Sequence, residues 1–256
     1  MMSKYEANRK FMHCPNFFVK MKESDQSKGI RKPPYTKEVV GKKVTLPTFE
    51  NVLTHTSYEK LLGIRRSIRN YTKDSISQEQ LAFLLWSVHG MQDYRGENKD
   101  AILRPVPSGG ARHPFEVYVA VRNVAGLKPG YYRYLSLENL CEKKVTLEFI
   151  KELPENYKEE MKGMVAGQGW VTNAAVVLFF SCIPYRGEWR YVDMSHRVML
   201  IDLGHIGQNG MLSAAALGLG SCNIAAYNQE LCDQVLGFDG SEEYTVYILP
   251  VGIMKK

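Results

Sequence analysis

Pro107-Ser108-Gly109-Gly110-Ala111-Arg112-His113-Pro114 runs directly into Phe115-Glu116-Val117-Tyr118-Val119-Ala120-Val121. Two adjacent glycines between prolines predict a tight turn, and the β-branched and aromatic run behind them predicts a strand. Downstream, Lys128-Pro129-Gly130 signals a turn before a strand at Tyr131–Tyr134, and a further short strand is expected over Cys141–Val145, giving a small antiparallel meander. Ala174–Cys182 is apolar on both faces, as a central sheet strand must be, and Tyr244–Val251 reads as a last strand. Helices are predicted over Tyr58–Arg66, over Glu148–Gly163 and over Ser195–Leu217. Another begins at a capping box formed by Ser77 and Gln80 and stops at Gly90. Residues 67–74 read as a linker and 91–106 as a loop. The pattern is α+β: a central, mostly antiparallel sheet flanked by helices.

Within the longest helix, Gly204, Gly207, Gly210, Ala214 and Ala215 predict a face without bulk, suited to close approach of another backbone or of a ligand. Residues 1–50 differ in character. Pro33-Pro34 and Pro47 break any long helix, so an extended arm with one short helix is expected, with residues 51–256 as the body. Phe11, Phe17 and Phe18 suggest that the arm docks on a body, its own or a neighbour's.

The 256 residues, 45% hydrophobic, suffice for one substantial core. No apolar run suggests an export signal or a membrane span, and five widely spaced cysteines fit neither a disulfide framework nor a zinc site. The expectation is a soluble protein of the cytoplasm. The net charge of +6 resides in the arm, where eleven Lys or Arg face five Asp or Glu. A basic arm suits RNA, a membrane surface or an acidic partner, but Lys-rich termini are more often solvated tails, and no nucleic-acid recognition motif accompanies this one.

Three segments carry candidate chemistry. Arg65-Arg66-Ser67-Ile68-Arg69 supplies the charge, planar donors and short hydroxyl that a phosphomonoester requires, although arginines at a helix end also serve the helix dipole. The glycines of Pro107-Ser108-Gly109-Gly110 allow backbone to approach a flat ligand, as they also allow an ordinary turn. The apolar small-residue segment from Ala214 to Ala226 offers main-chain N–H groups to an aromatic cofactor, or simple helix-to-strand packing. His89, His113 and Cys222 have no sequence partner that marks them as acid, base or nucleophile, and read as structural.

Taken in order, these segments together with Asp202-Leu203-Gly204-His205-Ile206-Gly207-Gln208, Leu217-Gly218-Leu219-Gly220-Ser221-Cys222 and Leu249-Pro250-Val251-Gly252 resemble the nitroreductase superfamily, and more narrowly its SagB-type dehydrogenase branch, from about Leu61 to Gly252. The resemblance implies an intertwined homodimer with two FMN sites at the subunit interface. Arg65, Arg66 and Ser67 match the residues that hold the FMN phosphate. Arg69 matches the basic residue near the flavin N1/O2 edge, where a fixed cation favours the negative charge that reduction brings. Pro107, Ser108, Gly109 and Gly110 match the loop that reaches the flavin from the partner subunit, and Ala225 and Ala226 match the segment whose amides face flavin N5. Ala111 stands where many relatives have Asn, which leaves an amide contact absent or taken over by Arg112 or His113. Lys255 and Lys256 end the chain, as phosphate neighbours or as exposed termini.

The implied activity is ping-pong hydride transfer from NAD(P)H, through FMN, to an electron-poor nitro- or quinone-like acceptor, with flavin N5 as the reacting atom and no catalytic side chain or metal. The SagB-like character implies an alternative, oxidation of azoline rings in a modified peptide. A third reading is a flavin-carrying binding protein whose arm contacts nucleic acid.

Overall fold

The computed structural model describes residues 5–13, 17–97, 100–138 and 144–255. Two short helices, α1 (Glu6–Met12) and α2 (Phe17–Met21), and strand β1 (Lys43–Thr45) come from the arm. The body adds α3 (Tyr58–Ile64), α4 (Gln78–His89), a small hairpin of β2 (Asp93–Arg95) and β3 (Ala101–Leu103), then β4 (Phe115–Val121), β5 (Gly130–Tyr134) and β6 (Thr146–Lys151). After α5 (Tyr157–Met164) come β7 (Val176–Cys182), α6 (Tyr185–Tyr191), α7 (Ser195–Ala216), β8 (Gly220–Ser221), α8 (Gln229–Leu236) and β9 (Tyr244–Gly252).

Seven strands form one sheet in the order β1-β6-β5-β4-β7-β9-β8, with every neighbouring pair antiparallel. The period of two along each strand sends alternate side chains to two separate cores. Val117, Val119 and Val121 of β4 join Leu178 and Phe180 of β7 under α4 and α7, while Tyr118, Ala120, Val177 and Phe179 meet Met161 and Met164 of α5 and Leu236 of α8 on the other face. Both faces are covered, which is why β4 and β7 are buried along their whole length and lack a polar alternation.

The capping box forms as expected: Ser77 Oγ accepts from the Gln80 N–H at 3.2 Å and Gln80 Oε1 accepts from the Ser77 N–H at 2.9 Å. Along α7 the small residues divide. Gly207 and Gly210 let the helix close on β9, since a Cβ at Gly207 would fall 2.7 Å from the Tyr247 ring and one at Gly210 would fall 2.5 Å from Leu249, whereas Gly204 faces open space. No helix among the described residues is long and apolar enough to cross a membrane.

Three local expectations are corrected. The third strand of the meander is Thr146–Lys151, so the first residues of the helix expected over Glu148–Gly163 are strand, and the helix starts at Tyr157, beyond Pro154. Leu147 and Phe149 face a core while Glu148 points the other way, into a buried ion pair with Arg133 at 2.7 Å and hydrogen bonds from the Val40 and Gly41 N–H groups at 2.7 and 2.6 Å. Residues 141–143 of the expected Cys141–Val145 strand lie outside the described residues, and Lys144 and Val145 are not strand. The region 91–106 holds the β2–β3 hairpin. The arm has two short helices in place of one, and its end is built into the body: Lys43–Thr45 pairs with Thr146–Glu148, and Leu46 and Phe49 are buried in the core. Of the arm aromatics, Phe17 lies 5.4 Å from the Tyr191 ring, whereas Phe18 is exposed.

Candidate functional site

Helix α3 is capped by Ser57, whose Oγ accepts from the Lys60 N–H, and ends at Arg65, where the backbone turns extended. Extended chain then carries Ser67 alongside Ser221 of β8, with the Ile68 N–H donating to Ser221 O at 2.9 Å. Gly220 makes this approach possible, because a Cβ there would fall 2.7 Å from Ile68 and from Met254. The result is a cleft between Arg65, Arg66 and Ile68 on one side and Met211, Ala215 and Ser221 on the other. Arg65 is half-buried; Arg66, Ser67 and Arg69 are exposed. None of the three guanidinium groups has a carboxylate partner among the described residues. Arg66 Nη1 donates only to the Arg65 carbonyl, at 2.8 Å.

Ala225 and Ala226 follow the bridge in which Ile224 and Ile248 exchange hydrogen bonds of 2.8 and 3.2 Å, and precede Asn228, which caps α8. The chain is held on both sides of them. Both alanines are exposed, and neither N–H has an acceptor among the described residues. The C-terminus lies beside Arg69: the Lys255 N–H donates to Asn70 O at 3.1 Å. Lys256 lies outside the described residues.

The loop at Pro107–Gly110 is held by a different set of contacts. The Gly109 N–H donates to both oxygens of Asp202 on α7, at 3.2 and 3.1 Å, and the Ser108 hydroxyl meets the same carboxylate. Burial raises the Asp202 pKa, and these hydrogen bonds oppose the rise. Ser108 Oγ also accepts from the His113 N–H at 3.0 Å. Gly110, Ala111 and His113 all have positive φ, at 58°, 52° and 46°, so the turn is tight enough to place two L-residues in the left-handed region. Arg112 and His113 do not replace an outward-facing amide, because both are buried. Arg112 donates to Gly110 O at 3.1 Å and Tyr35 Oη at 2.8 Å and stacks between the Tyr35 and Trp189 rings, while His113 Nε2 donates to Ile102 O at 3.0 Å.

These two halves do not meet within one chain. Asp202 anchors the loop in the first half of α7, and Met211 and Ala215 line the arginine cleft near its C-terminal end, so about 14–20 Å of helix separates them at ~1.5 Å per residue. Arg65, Arg66, Ser67, Arg69, Ala225 and Ala226 gather around β8 and its flank; Pro107, Ser108, Gly109 and Gly110 sit apart. The sequence reading missed Ser221 and Met254 as walls of the cleft and Asp202 as the anchor of the loop. An aspartate in the middle of an otherwise apolar helix face was the available signal for the last of these.

The antiparallel seven-stranded sheet crossed by α7, with a basic cleft and a glycine turn at separate places along that helix, is the fold of the nitroreductase-like oxidoreductases. The chain belongs to the nitroreductase family, whose family model, described as "Nitroreductase family", matches residues 63–253, and it is an FMN-dependent oxidoreductase. It is 29% identical over 209 residues to a protein named as a nitroreductase from Methanocaldococcus jannaschii, covering 82% of this chain and 95% of the relative. It is also 32% identical to the trifolitoxin-processing protein TfxB of Rhizobium leguminosarum bv. trifolii, over 53% of this chain and 36% of that protein. Among solved structures, a protein named as a nitroreductase from Anabaena variabilis superposes with a TM-score of 0.66 at 25% identity, over 84% of this chain and 42% of the other. The E. coli microcin synthetase McbBCD complex, with truncated pro-MccB17 bound, contains a chain that superposes at 0.60 and 20% identity, over 86% and 79%, and so shares the fold.

Proposed function

We propose that two copies of this chain assemble so that each arginine cleft is completed by the Pro107–Gly110 loop of the partner, with one FMN in each cleft. The observation that carries this reading is the separation along α7. Two segments suited to one ligand lie about 14–20 Å apart along one helix of a single chain, too far for one protomer to use both on a single ring system. The residues fit FMN: Arg65, Arg66 and Ser67 offer unpaired charge and a hydroxyl to a phosphate dianion, and the free N–H groups of Ala225 and Ala226 suit the edge of a planar heterocycle. Arg69, exposed one residue beyond the cleft-lining Ile68, would add a positive charge near the flavin. Residues 51–256 would form the FMN-binding unit, with the arm bracing the loop through Tyr35 and Arg112.

Bound FMN would supply two-electron hydride chemistry at N5, with NAD(P)H as donor and an electron-poor nitro- or quinone-like compound as acceptor. The protein's own part is to bind, orient and leave one face open for alternating ligands, which requires no acid, base or metal. Purified protein is expected to be yellow and dimeric, to release FMN on denaturation and to oxidise NADPH or NADH with a quinone present. Arg69→Ala is expected to keep the dimer folded while weakening FMN retention and slowing reduction. Colourless, monomeric protein that takes up no added FMN would overturn the proposal.

The relationship to TfxB, a processing protein by name, favours a second reading, in which the same cleft oxidises azoline rings in a modified peptide. Oxidation of an azoline-bearing peptide by FMN-loaded protein that NADPH leaves unreduced would select it over the reductase reading.

A further inference from the structure

The chain between Ile224 and Asn228 carries three consecutive main-chain N–H groups with no acceptor among the described residues, those of Ala225, Ala226 and Tyr227. Free donors give such a run no orientation of its own, so it must be held from elsewhere. Its ends are fixed: Ile224 is paired with Ile248, and the Asn228 N–H donates to Met164 O at 2.8 Å. The Tyr227 side chain is fixed as well, its hydroxyl donating to Thr245 O at 2.9 Å. Between these anchors, only one hydrogen bond among the described residues reaches the main chain itself: Gln168 Nε2 donates to Ala226 O at 2.9 Å.

Gln168 sits on the turn that follows α5, where Ala166 and Gly167 have φ of 51° and 84° and the Gly167 N–H closes onto Lys162 O at 2.8 Å. The turn rests on Met161, Met164 and Val165, all buried in the second core. It is therefore a firm base for an exposed loop. Gln168 Nε2 also donates to Val165 O at 3.1 Å, so both N–H bonds of its amide end on carbonyls, one at its own turn and one on the loop. A carboxylate or an aliphatic chain of the same length could not make that bridge. Because the peptide joining Ala226 to Tyr227 is planar and trans, gripping its carbonyl turns the Tyr227 N–H to the opposite side, away from Gln168.

We infer that Gln168 is a positioning residue for the cofactor: it fixes the peptide between Ala226 and Tyr227 so that the loop's free N–H side, Tyr227 included, faces the flavin edge. The inference rests on the FMN reading of the arginine cleft and adds Gln168 and Tyr227 to it. N–H dipoles held with their positive ends toward the ring favour the electron-rich reduced flavin, and they do so best when nothing has to reorganise as the electrons arrive. Gln168 itself touches neither flavin nor substrate in this assignment; it acts through the loop.

The test is the midpoint potential of bound FMN, titrated with dithionite, in the unaltered protein and in Gln168→Met, which keeps the side chain's length and removes its donors. The potential is expected to fall in the variant by about 30 mV, a tenfold change in the two-electron reduction equilibrium. A merely structural glutamine would lower stability and leave that potential where it was. Gln168→Met that holds FMN at an unchanged potential would therefore overturn the assignment while leaving the FMN site standing, whereas unaltered protein that takes up no FMN would bring down both. Should the variant fold poorly or lose FMN, a crystal structure of the unaltered protein with FMN decides. Gln168 on Ala226 O with a loop N–H on the flavin edge supports the role; Gln168 turned away, or no loop N–H within hydrogen-bond distance of the ring, sinks it.

Discussion

The two ends of α7 treat polar groups in opposite ways. At the Asp202 end, the loop N–H, the Ser108 hydroxyl, Arg112 and His113 all find partners inside the protein, and arm residues as distant as Tyr35 join in. At the Met211–Ala215 end, three guanidinium groups have no carboxylate partner and two main-chain N–H groups have no acceptor among the described residues. One end is finished by the fold and the other is left for a ligand. Rigidity and binding capacity are thus assigned to different parts of one helix, and neither can be inferred from the other.

This contrast can be broken in stages. The largest effect is expected at the finished end from Glu116→Ala, which strands the buried Arg186 and should lower stability by about 3–5 kcal/mol in denaturant unfolding. The same end should be acid-sensitive. An unfolded His113 takes up a proton near its ordinary pKa of 6.5 and the folded one only near 3, so the unfolded state holds more protons between those values. Stability from this group is full above about pH 6.5 and falls as pH drops toward 3, by on the order of 2 kcal/mol at pH 5. A His113→Gln variant with the same pH profile as the unaltered protein would refute the assignment.

At the open end, Arg66→Ala should leave the melting temperature of the apoprotein unchanged. It should weaken FMN binding by about 1.5–3 kcal/mol, read by quenching of flavin fluorescence. If apoprotein stability fell as well, the guanidinium would be structural and the contrast would fail. The smallest effect is expected from Tyr35→Phe, which removes one acceptor from Arg112 and should cost about 1 kcal/mol of stability while leaving FMN affinity alone.

Much of this was legible in the sequence where a signal is local. The strand Phe115–Val121, the box at Ser77 and Gln80 and the long helix from Ser195 each depend on neighbours within a few residues, and each lies where its pattern predicts. Thr146–Lys151 was misread because its glutamate and lysine also suit a helix; what makes it strand is Arg133, more than ten residues away, waiting for Glu148. Strands of three residues such as Lys43–Thr45 are too short to show any period. The candidate binding segments were visible as compositions, whereas their spacing along α7 is a tertiary distance that no local pattern encodes.

Because Gly207 and Gly210 seat α7 directly on β9, the helix has no freedom to slide or roll to correct an error in its length. The phase between its two ends is therefore set by residue count alone. A single residue inserted between Asp202 and Gly207 would swing the loop anchor by about 100° relative to the arginines while lengthening the helix by only ~1.5 Å. Evolution can change the side chains of this segment far more freely than it can change their number.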